Sequence, residues 1–127
     1  MKKIIHTPKA PAPIGPYSQA VLMNDTLYTS GQIALDAESG ELILGDITAE
    51  TTKVMENMKE VLHAAGMTFK NVVKTSIFLS DMGNFQKVNE VYASFFEEED
   101  APARETVEVA ELPKKVNVEI SMIAVKF

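Results

Sequence analysis

The sequence has 127 residues, of which 46% are hydrophobic and 24% charged, and this length and composition are typical of one folded domain spanning residues 1–127. Its formal net charge of −6 disfavours nucleic acid as a partner, because phosphates are bound mainly by lysine and arginine. No apolar run approaches the ~18–20 residues of a membrane span or the ~7–15 residues of a secretory signal, so we expect a cytoplasmic protein with no membrane partner.

The N-terminal part of the chain predicts an extended segment followed by a hairpin. The segment Pro8–Pro16 is rich in proline, which lacks the amide hydrogen that a helix needs. The segments AVLM and TLYTS have the composition of strands. Asn24 and Asp25 between them suit a two-residue turn, because both residues tolerate a positive φ. Gly31 is expected to end or bulge the second of these strands.

A long helix is predicted between residues 45 and 66. Apolar residues recur there at helical spacing and form a single stripe: Val54, Met58, Val61, Leu62 and Ala65. Asp46 or Thr48 can cap the start of this helix. Gly66 stands where a left-handed residue commonly ends a helix.

The second half of the chain predicts a strand, a helix and two further strands. The segment NVVKTSIFLS has strand composition, and NFQKVNEVYASFF predicts a helix capped by Asn84 or Asp81. Its apolar residues are expected to face the core: Phe85, Val88, Val91, Tyr92 and Phe95. The last two strands are predicted at residues 104–109 and 116–125.

This order of elements predicts an α+β fold, a mixed sheet with two helices on one face. Right-handed crossovers from strand through helix to strand place both helices on the same side. In the last strand, an apolar set should lie under the helices: Val118, Ile120, Met122 and Ala124. The alternate residues are mixed and half apolar. We therefore expect the other face of the sheet to be buried against further subunits.

Metal and covalent serine chemistry are not expected. The chain has no cysteine and only two histidines, His6 and His63, without carboxylates at ligand spacing, so no metal site is predicted. The serines lack a histidine in a nucleophile context.

Arg104 and Glu119 are the charged residues of interest in the last two strands. Alternation places Arg104 and Thr106 on one face of their strand, and we predict that this is the uncovered face that Glu119 also occupies. Spacing alone favours an ion pair between Arg104 and Glu119. The alternative is a ligand site, because the planar guanidinium of arginine can bind a carboxylate through two parallel hydrogen bonds.

Five segments, IGPYSQA, TSGQI, VNEVYASFF, PARETVEVAELPK and VEISMIAV, resemble the Rid (YjgF-like) family of reactive-intermediate deaminases almost from end to end. The resemblance implies a chorismate-mutase-like fold assembled as a homotrimer, with ligand sites in clefts between subunits. It implies no cofactor.

The resemblance also implies roles for individual residues. Arg104 matches the arginine that binds the substrate carboxylate, and Glu119 matches the glutamate that orients or activates a water. Four positions match residues that line the family pocket: Tyr17, Ser30, Gly31 and Asn89. Thr106 stands where many members have cysteine; it should keep the backbone contact and the pocket wall, and it excludes thiol chemistry there.

The implied activity is hydrolysis of enamines and imines such as 2-aminoacrylate and 2-iminobutanoate to 2-oxo acids and ammonia, which protects pyridoxal-phosphate enzymes. Besides a holdase-like chaperone role, which nothing in the sequence requires, two alternatives come from other classes of function. One is a non-catalytic trimer that binds small carboxylate metabolites or regulates a partner enzyme. The other is an RNA-cleaving inhibitor of translation, which the net charge of −6 disfavours.

Overall fold

A computed structural model describes all 127 residues of the chain. Its strands and helices, in chain order, are β1 (Lys2–Ile5), β2 (Ala20–Met23), β3 (Thr26–Thr29), α1 (Ile47–Ala64), β4 (Val72–Leu79), α2 (Phe85–Ala93), β5 (Ala103–Glu108) and β6 (Val118–Val125). The strands form one sheet in the order β1-β2-β3-β6-β4-β5. The β4–β5 pair is parallel and every other pair is antiparallel. This confirms the predicted mixed sheet with two helices.

Local signals in the sequence set the bounds of the first elements. Asn24 adopts a φ of 55° in the turn between β2 and β3, as its tolerance of positive φ predicts. Asp46 caps α1 by accepting a hydrogen bond from the Thr48 amide at 2.9 Å. Gly66 follows α1 with a φ of 74°, which a side chain would disfavour. These predictions are confirmed.

The start of α2 differs from the prediction. Asn84 precedes the helix but makes no side-chain capping bond, whereas Asp81 accepts a hydrogen bond from the Gly83 amide at 2.8 Å and caps the short turn before α2. Phe85 was expected in the core, yet its side chain is 38% exposed. The first turn of α2 lies at the margin of the sheet, where the ring of Phe85 meets the Arg104 side chain of the edge strand β5.

The core lies between the sheet and the helices. Its β6 residues alternate as predicted, with Val118, Ile120, Met122 and Ala124 all buried. The apolar stripe of α1 packs in the same core cluster. Each large aliphatic side chain buried in this way stabilises the fold by roughly 1.5–3 kcal/mol, so the core fixes which face of β6 points away from the helices.

A buried carboxylate ties α1 to the start of β6. Glu50 is 0% exposed, and its two oxygens accept hydrogen bonds from the backbone amide and the side-chain amide of Asn117, each at 2.8 Å. Both carboxylate oxygens therefore have partners, as burial of a charge requires. The contact fixes the backbone two residues before Glu119. The sequence did not predict it.

The opposite face of the sheet has no layer of helices over it. Large apolar side chains stand exposed there, on β1, β2, β3 and β5: Ile4, Met23, Tyr28 and Val107. We call this side the uncovered face; on β6 it carries Glu119, Ser121, Ile123 and Val125. Neither helix of the chain has the length and apolar character needed to span a membrane.

Candidate active site

Arg104, the only arginine of the chain, is held by three residues of α2. Its Nη1 donates a hydrogen bond to Oδ1 of Asn89 at 2.6 Å. Its guanidinium carbon lies 5.0 Å from the ring centre of Tyr92 and 5.6 Å from that of Phe85. Because residues 85, 89 and 92 are four and three positions apart, they form one stripe of the helix. The guanidinium is therefore oriented before any ligand arrives.

The guanidinium has no carboxylate partner within the chain. The two ion pairs of the structure join Lys53 to Asp36 and Lys74 to Glu105. An arginine that is ordered by neutral groups keeps its charge and most of its donors free for an anionic ligand. The predicted pair between Arg104 and Glu119 does not form in this chain.

The prediction that Arg104 and Glu119 share a face of the sheet is wrong. The parallel register of β4 and β5 pairs Arg104 with Thr75, a buried residue on the helix-covered side. Glu119 pairs with Phe78, whose side chain points the other way. On β5 the helix-facing residues Arg104, Thr106 and Glu108 are all polar, whereas the opposite side carries Val107, so composition indicated the wrong face.

Thr106 lies two residues after Arg104 and on the same side of β5. Its register partner is Ile77, which is buried under the helices. The hydroxyl oxygen of Thr106 is itself buried and has no hydrogen-bond partner. We call Asn89, Arg104 and Thr106 the arginine half-site. It can bind a carboxylate, but it contains no group that can exchange a proton at neutral pH.

Glu119 is the titratable group on the opposite side. Burial raises the pKa of its carboxyl group above the ordinary value of 4.5. The side chain extends over Gly31: a Cβ atom added to Gly31 would lie 2.7 Å from Cδ of Glu119. Only glycine leaves room for the carboxylate in this position. A partly buried carboxyl group with a raised pKa is suited to general acid–base chemistry.

Ser30 and Tyr17 are linked to Glu119 through Gly31, which Ser30 precedes in the chain. The hydroxyl of Ser30 donates a hydrogen bond to the Ser18 carbonyl at 2.6 Å, which leaves its lone pairs free to accept. Tyr17 is half exposed and lines a cavity of about 40 Å³ together with Gly31. We call Tyr17, Ser30, Gly31 and Glu119 the glutamate half-site.

The structure thus divides the seven predicted site residues into two groups. The arginine half-site lies on the helix-covered side at the β5 edge, and the glutamate half-site lies near the end of β3 and on the uncovered face. One group offers a cation for an anionic ligand and the other offers a titratable carboxyl group. Within one chain the two functions do not meet.

Two aromatic residues that border the arginine half-site were predicted only as core. Phe85 and Tyr92 both face the guanidinium of Arg104. The signal that was available is Asn89, a polar residue between them in an otherwise apolar stripe of α2. A polar residue at that spacing indicates that the stripe also faces a polar group.

Comparison with known proteins places the chain in a family. A family model described as endoribonuclease L-PSP matches residues 7–126. The 2-iminobutanoate/2-iminopropanoate deaminase of Mus musculus is 48% identical over 126 residues, which are 99% of this chain and 93% of the mouse protein. The structure of YyfA from Yersinia pestis, a protein of the conserved Rid family, has a TM-score of 0.96 at 45% identity. The match covers 99% of this chain and 100% of the YyfA chain.

The crystal structure of E. coli TdcF with bound serine is similar as well, with a TM-score of 0.92 at 41% identity, covering 98% of this chain and 99% of TdcF. These identities extend over nearly the full length of the chains and include the segments that contain both half-sites. The chain therefore belongs to the endoribonuclease L-PSP family, the Rid (YjgF-like) family that its sequence motifs predict.

Proposed function

We propose that this protein is a deaminase that hydrolyses short 2-imino acids, such as 2-iminobutanoate and 2-iminopropanoate, to 2-oxo acids and ammonia. The observation that carries the proposal is Arg104, a lone arginine held in place by neutral groups and free of any carboxylate in the chain. Its arrangement suits a small substrate with a carboxylate group. The 48% identity to a mouse protein named for this activity supports the same substrate class.

The complete site forms between subunits of a homotrimer, with the arginine half-site of one subunit facing the glutamate half-site of its neighbour. Two features support this arrangement. Arg104 and Glu119 lie on opposite faces of the sheet, so a single chain cannot bring them to one small ligand. The uncovered face also carries exposed apolar side chains, which a folded protein commonly buries by association.

The reaction requires a held carboxylate, a positioned water and a group that carries the two water protons to the nitrogen. Arg104 binds the substrate carboxylate, and Asn89 keeps the guanidinium in place. The enamine form first tautomerises to the imine. Glu119 then takes a proton from water as the water oxygen bonds to the imine carbon, and passes it to the imine nitrogen, which gives a carbinolamine. It next takes the proton of the new hydroxyl and passes it to the amino group, so that the carbonyl forms as the carbon–nitrogen bond breaks. The products are the 2-oxo acid and ammonia, and no cofactor takes part.

The biological consequence follows from the chemistry of the substrate. Enamines such as 2-aminoacrylate, released by pyridoxal-phosphate-dependent dehydratases, are reactive toward other enzymes. Hydrolysis by this protein protects pyridoxal-phosphate enzymes from that damage. Removal of a diffusing metabolite requires no contact between the two proteins, so the partners of this chain are small imino and 2-oxo acids and its own copies.

The test generates 2-aminoacrylate or 2-iminobutanoate in situ with a serine/threonine dehydratase and follows 2-oxo acid formation with and without this protein. Faster formation that is lost in Arg104→Ala and in Glu119→Ala supports the proposal. Binding of 2-oxo acids without acceleration identifies a non-catalytic metabolite-binding protein instead. Cleavage of RNA that survives both substitutions assigns the chain to the endoribonuclease activity in the name of its family model.

A further inference from the structure

A buried hydrogen bond lies directly behind the candidate carboxylate-binding residue. The hydroxyl oxygens of Tyr92 and Thr75 are 2.7 Å apart, and the two residues are 5% and 0% exposed. Tyr92 belongs to α2 and Thr75 to β4, the strand next to β5. The bond therefore joins the helix to the sheet beside Arg104, whose register partner is Thr75.

This bond fixes the aromatic ring on which the guanidinium lies. The Tyr92 ring is further confined by Phe96, whose ring centre is 4.8 Å away. Burial raises the pKa of the Tyr92 hydroxyl above its ordinary value, although its hydrogen bond to Thr75 and the charge of Arg104 oppose the rise. The hydroxyl is thus neutral at physiological pH and can share a proton with Thr75. A ring held in this way is a rigid surface for the cation.

Arginine side chains lose much rotamer freedom when they bind a ligand, and this loss weakens binding. Here the side chain is ordered in advance by the hydrogen bond to Asn89 and by the two rings of α2. The Phe85 ring is partly exposed and farther from the guanidinium carbon, at 5.6 Å against 5.0 Å for Tyr92. The buried Tyr92 ring therefore restrains the position of the Arg104 guanidinium more than the Phe85 ring does.

We propose that Tyr92, braced by Thr75, is a positioning residue that orients the Arg104 guanidinium and so sets the affinity for the carboxylate of the substrate. The inference rests on the proposed function for the identity of the anion. Because Tyr92 contacts Arg104 and no group of the glutamate half-site, it acts on substrate binding and leaves the proton-transfer step unchanged. Its loss raises KM and leaves kcat nearly constant.

The first experiment measures KM and kcat for the imine in three variants. Tyr92→Leu removes the ring, and we expect KM to rise about two- to thirtyfold, the range of a cation–π contact, with kcat within about twofold of the original. Tyr92→Phe keeps the ring but removes its hydrogen bond to Thr75, so KM should rise by about twofold, less than in Tyr92→Leu. Phe69→Leu is the matched control, because Phe69 packs against the same aromatic cluster, 5.4 Å from Phe96, without contacting Arg104.

The second experiment does not depend on catalysis. Arg104 is the only arginine, so phenylglyoxal followed by intact-mass measurement reports the accessibility of this one guanidinium. We expect Arg104 to be modified several times faster in Tyr92→Leu than in the original chain. 2-oxobutanoate should protect Arg104 from modification, and its binding to Tyr92→Leu should be weaker by the same factor by which KM rises. If Tyr92→Leu does not fold, Thr75→Val replaces it in the experiment, because this change leaves the Tyr92 hydroxyl without its hydrogen-bond partner. Both KM and the rate of phenylglyoxal modification should then rise by at least about twofold.

The outcomes separate this inference from the proposed function. A fall in kcat with unchanged KM in Tyr92→Leu, or an unchanged modification rate, overturns the positioning role while imine hydrolysis stands. Absence of imine hydrolysis in the original chain overturns the proposed function. In that case the positioning role of Tyr92 stands if 2-oxobutanoate protects Arg104 and Tyr92→Leu weakens that protection, and it is overturned otherwise. If Phe69→Leu raises KM as much as Tyr92→Leu does, the positioning role is overturned, because both changes then act through a general loss of packing.

Discussion

Gly31→Ala tests the glutamate half-site through one added methyl group. The new Cβ would lie 2.7 Å from Cδ of Glu119, whereas two carbon atoms in contact are normally ~3.5–4.0 Å apart. The carboxylate must therefore move by about 1 Å. A displacement of that size in a catalytic group costs about 100-fold in rate, so we expect kcat/KM for the imine to fall by about that factor.

The same change should have little effect on stability, because the atoms that must move belong to the flexible end of the Glu119 side chain. Gly15→Ala is the matched control: its Cβ would meet only the Tyr17 ring, at an ordinary contact distance of 3.5 Å, and activity should change by less than about twofold. The assay is 2-oxo acid formation from the dehydratase-generated imine, with thermal unfolding of each variant.

A double-mutant cycle shows whether the methyl group acts through the carboxylate. In a Glu119→Ala background, Gly31→Ala should cost almost nothing further, since the group that it displaces is absent. If Gly31→Ala lowers the residual activity of Glu119→Ala by the same ~100-fold, the steric reasoning is refuted. Full activity of the single Gly31→Ala variant would refute it equally.

Two further predictions concern the charged residues of the half-sites. Arg104→Ala should lower kcat/KM at least about 30-fold, because breaking an arginine–carboxylate contact costs about 2–5 kcal/mol and each ~1.4 kcal/mol corresponds to a tenfold change in rate. Lys87→Ala is the control: it removes the same charge from the exposed side of α2 and should be nearly neutral in the same assay. Glu119→Gln should raise Tm at neutral pH and abolish activity. Burial raises the pKa of Glu119, so the folded state binds the proton more tightly than the unfolded state does. The contribution of Glu119 to stability is therefore complete below its ordinary pKa of 4.5 and is lost as the pH rises through the raised pKa. The gain in Tm should thus disappear in scans below pH 4.5, and a gain that is equal at all pH values would contradict the burial argument.

Elements that depend on neighbouring residues were predictable from the sequence. The turn at Asn24, the cap at Asp46 and the alternation of β6 each follow from a local pattern, and the structure agrees with all three. The identity of the site residues followed from the family motifs rather than from spacing, which favoured an ion pair. Local pattern therefore predicted the framework of the sheet but not the chemistry that it carries.

The orientation of β5 could not be predicted in the same way. This edge strand turns polar residues toward the helices, and the direction of Arg104 is set by the parallel register with β4, a contact between distant parts of the chain. Phe85 was misassigned for a related reason: its apolar side chain contacts a cation at the margin of the sheet. The first of these errors placed Arg104 on the same face of the sheet as Glu119, which the register of one chain does not allow.

The two half-sites carry features that favour function over stability. Glu119 is a half-buried carboxyl group with no ion-pair partner, and Thr106 has a buried hydroxyl without a hydrogen bond. Each such group lowers the free energy of unfolding relative to an apolar or a fully paired residue. Their presence at the two predicted locations is consistent with a site that is completed by another subunit.

Subunit complementation tests whether each active site is shared between two subunits. Arg104→Ala and Glu119→Ala, each expected to be strongly impaired alone, are unfolded together in equal amounts and refolded as mixed oligomers. If each site takes Arg104 from one subunit and Glu119 from its neighbour, every mixed trimer contains one intact site, and random mixing restores about a quarter of the original activity. If activity stays at the level of the separate variants although mass measurement shows mixed trimers, the site lies within one chain and the account is wrong.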